Sequence, residues 1–323
     1  MLQLRIDPWA ASYEGAYQLE DELSTAKAEV DLTPEVQDLA QWGPRTPAFI
    51  EAPDTAVFID GVQRVELRVL GDSNGQIVYG AFSSVAVGAA VMRRGGSCVQ
   101  PEPARRVIAL SAGASCEPWT VPCGTAALTY VAESDPDIGT DAWQNAVRNV
   151  RRAAEIALGQ RMVEADHPLV IVDGRLGFEP SRRSHAIGVA KTIRTRYLEA
   201  PYSDILRELR PGTRTPVFAI KYEHPVFSWY IRLSQQRPFD HDWAGIVQVE
   251  TWAGIGIEAA VRLADLTALH LPRFASTPEW DSRAPQNLFP IAALEQHLRH
   301  EMGDPEWIRR NLEAHFHRMG GLS

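Results

Sequence analysis

The stretch that decides the fold is Ala56-Val57-Phe58-Ile59-Asp60-Gly61, a short apolar run that ends in an acid and a glycine. A second stretch of the same kind is Leu169-Val170-Ile171-Val172-Asp173-Gly174. Each run is rich in β-branched or aromatic side chains and is followed by a turn residue, which is typical of a strand buried on both faces. An aspartate at the end of such a strand is held rigidly at the sheet edge. The pair therefore suggests two carboxylates that converge on a cation, although Asp-Gly is also a common turn signal.

Length and composition place the chain among soluble globular proteins. It has 323 residues, of which 45% are hydrophobic and 23% charged, enough for one large domain or two ordinary ones. No apolar run approaches the ~20 residues of a membrane-spanning helix, and the N-terminus has no signal-peptide pattern. The cysteines are odd in number and lack a CxxC spacing, which argues against a zinc site and favours a reducing cytoplasm. They are Cys98, Cys116 and Cys123.

The net charge of −9 restricts how this chain could bind nucleic acid. A protein whose whole surface binds DNA is usually basic, so a DNA-binding surface here would be local. One stretch fits, because the residues between Glu179 and Glu199 include no acid. A solvated surface strand and loop is the alternative. The basic residues of this stretch are Arg182, Arg183, His185, Lys191, Arg194 and Arg196.

Hydrophobic periodicity predicts an α/β fold in which one mixed sheet is flanked by helices. Residues 56–92 are predicted to form three antiparallel strands, residues 93–104 a loop, and Asp141 to Met162 the clearest helix. An acidic helix over residues 12–43 is predicted before the sheet. Further strands are predicted over 106–110, 126–131, 186–190, 216–222, 227–233 and 245–251, and further helices over 203–209, 257–269, 288–302 and 305–319.

The acids suggest a phosphodiester-hydrolysing site. Two divalent ions ~3.5–4 Å apart can stabilise charge on a phosphate and generate a nucleophile from water, and carboxylates suit Mg²⁺ or Mn²⁺. Asp60 and Asp173 are the candidates from the sheet. Glu155, eighteen residues before Asp173 on the predicted helix, is the candidate from a helix. Because Arg151 precedes Glu155 by four residues, an ordinary ion pair is the alternative for this glutamate.

These motifs, in this order, resemble the NurA nucleases over about residues 50 to 300. The shared features are the two Asp-Gly strands, the helix glutamate, a Gly-Val strand at Ile187-Gly188-Val189-Ala190-Lys191, and Pro285-Gln286-Asn287-Leu288-Phe289-Pro290-Ile291 leading to His297. The resemblance implies an RNase H-like fold with helical N- and C-terminal extensions. Together with the acidic helix predicted over 12–43, it divides the chain into an N-terminal helical arm over 1–48, for dimerisation or partner docking, and a nuclease domain over 49–323.

The resemblance also implies an activity, a cofactor and partners. The activity is Mn²⁺- or Mg²⁺-dependent hydrolysis of single- and double-stranded DNA by a cytoplasmic homodimer. The partner is a hexameric HerA-type ATPase that drives DNA into the nuclease, in DNA repair by end resection or in phage defence.

Site residues carry over one by one. Asp60, Glu155 and Asp173 match the metal-binding acids, and His297 matches a C-terminal histidine that ligates metal or transfers protons. Lys191 matches a phosphate-contacting lysine. The family often has a tyrosine near Leu288-Phe289 and this chain has none, so His300 is the alternative to His297. We add Arg182, Arg183 and Arg194 as expected DNA contacts.

Two other functions are compatible with the sequence. The acidic net charge and the missing tyrosine are compatible with a non-catalytic, RNase H-like adaptor subunit of a motor ATPase. An unrelated phosphoesterase that acts on a small substrate is the third possibility.

Overall fold

The computed structural model describes residues 3–6, 28–73, 75–179, 185–191, 195–237, 240–279, 281 and 283–320. Within these ranges the chain forms a large mixed sheet with helices against its faces, which confirms the predicted α/β class. The strands, numbered in chain order, are β1 (Gln3–Ile6), β2 (Glu29–Asp31), β3 (Thr55–Ser73), β4 (Gln76–Arg93), β5 (Gly96–Pro101), β6 (Arg105–Leu110), β7 (Trp119–Cys123), β8 (Ala126–Ser134), β9 (Leu169–Asp173), β10 (His185–Ala190), β11 (Phe218–Lys221), β12 (Val226–Arg232) and β13 (Ile246–Trp252). The helices are α1 (Trp143–Glu164), α2 (Ile205–Glu208), α3 (Ile257–His270), α4 (Phe289–Glu301) and α5 (Pro305–Gly320).

The strand order runs β2-β11-β12-β13-β10-β9-β3-β4-β6-β8-β7, with β1 beside β3 and β5 beside β4. At its centre the β3–β4 antiparallel hairpin continues into β9 and β10, which run parallel to β3. Helix α1 connects the antiparallel half of the sheet to β9, as a parallel pairing requires a crossover connection. This arrangement agrees with the RNase H-like fold expected from the resemblance.

The first Asp-Gly does not end a strand, which corrects the prediction made for it. Strand β3 runs on through Asp60 and Gly61, pairing Asp60 with Gly88 of β4. A Cβ atom at Gly61 would lie 2.6 Å from the Glu155 Oε1 atom, so this glycine lets α1 approach the sheet closely. The second Asp-Gly is a turn as predicted, since Gly174 follows the end of β9 with a φ of +91°.

The two faces of the sheet carry different helices. Phe58 and Ile171 belong to the core that α3 and α4 cover, whereas Val57, Ile59 and Val172 belong to the core beneath α1. Side chains alternate between the faces of a strand. Asp60 follows Phe58 by two residues and Asp173 follows Ile171 by two, so both aspartate side chains lie on the α4 face.

The helix predicted over residues 12–43 is wrong where the structure describes it. Residues 28–43 contain β2 and a 3₁₀ turn at Leu39–Gln41, and residues 7–27 lie outside the described residues. Strand β2 pairs with β11, and the Glu35 carboxylate accepts hydrogen bonds of 2.8 and 2.9 Å from Arg214. These partners lie far away in sequence, and their pairing overrides the local helical pattern. The role of the N-terminal arm stays a prediction.

The loop predicted over residues 93–104 is also wrong in part, because it contains β5. Strand β6 pairs only with the first part of β4, from Gly80 to Val85. The remaining length of β4, from Gly88 to Arg93, would present unpaired backbone groups, and β5 pairs with it. The predicted helices over 141–162, 257–269, 288–302 and 305–319 are confirmed as α1, α3, α4 and α5, within a few residues at each end.

Candidate active site

Asp60 and Asp173 lie side by side on neighbouring parallel strands. Ile59 of β3 is opposite Val172 of β9, so the next residue of each strand is one of the two aspartates. One carboxylate oxygen of each, together with one of Glu295, lies within 4.8 Å of the others. The geometric prediction that these two aspartates meet is therefore confirmed. The third acid of the cluster was not predicted from the sequence.

Glu295 reaches the cluster from α4, whose buried stripe includes Ile291, Leu294 and Leu298. Its side chain is 7% exposed and is held by two arginines. Arg283 donates to Oε1 over 2.7 Å and Arg299 donates to Oε2 over 3.1 Å. A charged residue inside the apolar stripe of a helix is unusual, because burying an acid is costly without partners. That position in the stripe is the signal that could have identified Glu295.

The three acids lie close together, and two of them, Asp173 and Glu295, are paired with cations. Burial raises the pKa of Asp60 well above its ordinary value, and the neighbouring carboxylate of Asp173 raises it further. Lys191 acts in the opposite direction, whereas Glu155 and Glu295 add to the increase in the Asp60 pKa. The fold thus forces carboxylates together that repel each other when ionised. A cation bound between them would relieve this repulsion.

Lys191 lies at the edge of the acid cluster, just after β10. Its Nζ atom is 2.5 Å from Asp173 Oδ2 and donates to Asn287 Oδ1 over 2.6 Å. Asn287 in turn donates to Asp281 Oδ2 over 2.5 Å, and Arg283 forms ion pairs with both Asp281 and Glu295. The lysine and the arginine are thus fixed on either side of the three acids by a continuous chain of polar contacts.

Glu155 lies on the opposite face of the sheet, on α1, and is not part of the three-acid cluster. Its Oε1 atom accepts a 2.7 Å bond from Arg151, and Arg152 is 3.8 Å from Oε2. Burial raises the pKa of Glu155, and the two arginines oppose that increase. An ordinary ion pair with Arg151 is the alternative that the sequence suggested for Glu155. This pair is formed, but it is not a surface pair, because the glutamate side chain is only 2% exposed. Glu155 therefore buries its charge against Gly61, on the face of β3 opposite to Asp60.

Neither candidate histidine belongs to the three-acid cluster. His297 follows Glu295 by two residues, about 200° around the helix. Its side chain is 46% exposed and lies 3.6 Å from Glu301. His300 is also exposed. Of the expected DNA contacts, Lys191 lies at the cluster, whereas Arg182, Arg183 and Arg194 lie outside the described residues.

The donor set fits a hard divalent cation. Three carboxylates supply oxygen ligands, which Mg²⁺ and Mn²⁺ prefer over nitrogen or sulfur. Asp60 and Glu295 are buried and Asp173 is partly exposed, so the cluster has one side open to solvent. The chemistry and placement of these residues are therefore those expected of a metal centre that meets a substrate at the protein surface.

Comparisons with solved structures show a likeness over most of the chain. The chain is similar to the NurA nuclease from Sulfolobus solfataricus, with a TM-score of 0.49 and 12% sequence identity. The match covers 89% of this chain and 91% of that one. No protein-family model and no curated protein matches the chain. Among the described residues, no helix is long and apolar enough to cross a membrane.

Proposed function

We propose that this protein is a metal-dependent nuclease that hydrolyses phosphodiester bonds in DNA. The observation that carries the proposal is the cluster of Asp60, Asp173 and Glu295, whose ligand oxygens lie within 4.8 Å of one another. A buried group of like charges is costly to fold, which favours a functional role over a purely structural one. The open side of the cluster, at Asp173, is where a substrate phosphate would approach.

Asp60, Asp173 and Glu295 would hold the cation, Mn²⁺ or Mg²⁺. When bound, such a cation neutralises charge on the phosphate and lowers the pKa of a water molecule. The three carboxylates come from two strands and a packed helix, so their positions are set before substrate binds. Whether one or two ions bind is part of the proposal, and the two-metal form is the one that we put forward.

Lys191 and Arg283 would orient the phosphate. Both are cations at the rim of the cluster, with side chains 14% and 41% exposed. An ammonium and a guanidinium each donate charge-assisted hydrogen bonds to phosphate oxygens. Their present partners, Asp173 and Glu295, are the residues that would bind the cation. When metal and substrate bind, the two acids would therefore turn to the metal and the two cations to the phosphate.

The roles expected from the sequence for the other residues are part of the proposal. Glu155 would act from behind the strand, by fixing the backbone at Gly61, or as a further metal-binding acid. His297, with His300 as the alternative, would transfer protons or ligate metal, and Arg182, Arg183 and Arg194 would contact DNA. The proposed partners are a second copy of this chain and a HerA-type hexameric ATPase, in end resection or phage defence. The net charge of −9 supports a partner that delivers DNA.

The test is cleavage of linear DNA by the purified protein with Mn²⁺ and with EDTA. We expect cleavage that EDTA abolishes and that Asp60→Asn, Asp173→Asn and Glu295→Gln each reduce at least about a hundredfold, as expected when a group that stabilises transition-state charge is lost. Asp54→Asn is the matched control, because Asp54 is an aspartate whose side chain is 79% exposed. Glu155→Gln and His297→Ala, assayed beside them, measure the roles proposed for those residues.

Two results would contradict the proposal. Stable binding to an ATPase without cleavage under any divalent metal would favour the adaptor. Hydrolysis of bis-p-nitrophenyl phosphate with intact DNA would favour a small-substrate phosphoesterase.

A further inference from the structure

A cluster of one arginine and two tyrosines lies beside the acid site. Arg175 follows Asp173 by two residues, and its guanidinium carbon lies 4.4 Å from the centre of the Tyr222 ring. Arg175 also donates to the Tyr197 hydroxyl over 2.7 Å and to the Tyr222 hydroxyl. The two tyrosine rings meet edge to face with centroids 6.4 Å apart. We call these three residues the Arg–Tyr cluster.

The backbone that carries Arg175 is fixed on three sides. The Gly174 amide donates to the Val189 carbonyl over 2.9 Å, which holds the turn against β10. The Leu176 amide donates to the buried Glu250 carboxylate over 2.8 Å, and Arg152 donates to the Arg175 carbonyl. Arg175 is nevertheless exposed to solvent. The guanidinium is therefore presented on a rigid loop.

The Arg–Tyr cluster has a second arginine–aromatic pair beside it in the chain. Arg196, next to Tyr197, lies over the Trp243 ring at 5.0 Å from its centre. Planar cations held on aromatic faces are suited to stacking on bases, since every base offers a flat π surface. A phosphate-only contact needs no such support, because a lysine supplies the charge without a plane.

The distance to the acids sets what this cluster could contact. Two residues span at most ~7 Å of backbone, so Arg175 lies within about one or two nucleotides of Asp173. Arg175 lies in the turn that directly follows Asp173, and the contacts from Val189, Glu250 and Arg152 hold this turn next to the acid-bearing end of β9. A DNA strand whose phosphate reaches the acids would thus bring a neighbouring base over the exposed face of Arg175, provided that this base is unpaired.

We propose that Arg175, supported by Tyr222 and Tyr197, stacks on an unpaired nucleobase next to the phosphodiester bond that the protein cleaves. This inference rests on the proposed nuclease function, and it assigns the substrate at that site as a single-stranded or locally opened stretch of DNA. Arg175 determines binding of the base, and the acids carry the hydrolysis.

The test distinguishes binding of the nucleobase from binding of the phosphate backbone. We compare binding of a fluorescent twelve-nucleotide thymidine oligonucleotide with that of an abasic oligonucleotide of the same length, by anisotropy in EDTA. Wild-type protein is expected to prefer the base-containing strand about tenfold. Arg175→Lys, which keeps the charge and loses the plane, is expected to remove most of that preference, as is Tyr222→Leu. Tyr222→Phe, which keeps the ring, is expected to retain it.

Arg309→Lys is the matched control, because Arg309 is a 50% exposed arginine on α5 that pairs with Glu313. It should leave the preference unchanged. Equal binding of the two strands by wild-type protein, or an unchanged preference in Arg175→Lys, would overturn the inference. Because binding is measured without metal, failure here differs from failure of the nuclease proposal, which is absence of Mn²⁺-dependent cleavage.

Discussion

At the scale of single residues, the Asp60 carboxylate should lower the stability of the fold while it serves the proposed hydrolysis. It is 6% exposed, and burial and Asp173 raise its pKa. A carboxyl group whose pKa is higher in the fold than in the unfolded chain lowers stability as the pH rises, because its ionised form is disfavoured in the fold. Asp60→Asn should therefore raise Tm by about 2 °C or more at pH 8 in EDTA while abolishing cleavage.

Thermal unfolding with and without metal checks this prediction. Mn²⁺ should raise the Tm of wild-type protein, since a ligand that binds only the folded state stabilises it. It should have little effect on the Tm of Asp60→Asn. A variant that is less stable than wild type in EDTA, while Asp54→Asn is unchanged, would show that the Asp60 carboxylate is not under electrostatic strain.

Gly61 is required because three side chains would crowd a Cβ atom at this position. A methyl group there would lie 2.6 Å from Glu155 Oε1 and 2.9 Å from Val87 Cγ1. Gly61→Ala should lower the free energy of unfolding by about 1–3 kcal/mol, the usual cost of overpacking. Gly95→Ala is the control, because Gly95 has open space around it. Urea unfolding compares the two, and equal stabilities would mean that Glu155 moves aside without cost.

The sequence could predict two of the three clustered acids, for a local reason. Asp60 and Asp173 each follow a buried apolar run, so strand alternation alone places them on the sheet. Glu295 depends on how α4 packs against β3 and β4, which is tertiary information. The sequence motif that indicates α4 selects His297, whose side chain is 46% exposed. Glu295 lies two residues earlier, about 200° around the helix, and faces the sheet.

At the scale of elements, α4 is held at its C-terminal end by a buried ion-pair group. Arg106 donates to the Met302 carbonyl over 2.7 Å, and Arg64 donates to the same carbonyl over 3.1 Å. Both arginines pair with Glu66, whose side chain is fully buried. The last carbonyls of a helix lack partners within the helix, so this group completes its hydrogen bonding.

Breaking this group should destabilise the fold. Arg106→Met should lower the free energy of unfolding by about 3 kcal/mol, because the buried Glu66 would lose a charged partner. Arg94→Met is the control, since Arg94 and its partners Glu51 and Asp54 are each more than three-quarters exposed, and no change is expected there. Denaturant unfolding measures both. Equal losses from the two variants would show that burial does not set the strength of these pairs.

Elements with a strong local pattern could be predicted, and those that depend on a distant partner could not. Helix α1 has a helical periodicity, and the long strand β4 is an almost continuous run of small and apolar residues. Strands β1 and β2 are three or four residues long and exist because β3 and β11 offer edges to pair with. The sequence predicts a strand end at Gly61, where β3 in fact continues, because a glycine needed for a turn and a glycine needed for close packing cannot be told apart in a sequence.

At the scale of the whole molecule, the net charge should make DNA cleavage by the isolated protein depend on the salt concentration. The net charge of −9 would repel DNA, so the proposed binding would rely on a few local cations such as Lys191 and Arg283. Each phosphate contact adds about −0.9 to the slope of log K against log salt. Two or three contacts therefore predict that DNA cleavage at low substrate concentration falls about tenfold or more between 50 and 200 mM salt.

The control is hydrolysis of bis-p-nitrophenyl phosphate by the same protein over the same salt range. That substrate meets the acids without a polyanionic chain, so its hydrolysis should change little. An ATPase that delivers the strand would replace electrostatic attraction, and a HerA-type partner should therefore restore DNA cleavage at 200 mM salt. Salt-insensitive cleavage by the protein alone would remove this argument for a motor, because the acidic surface would then not limit access of DNA to the site.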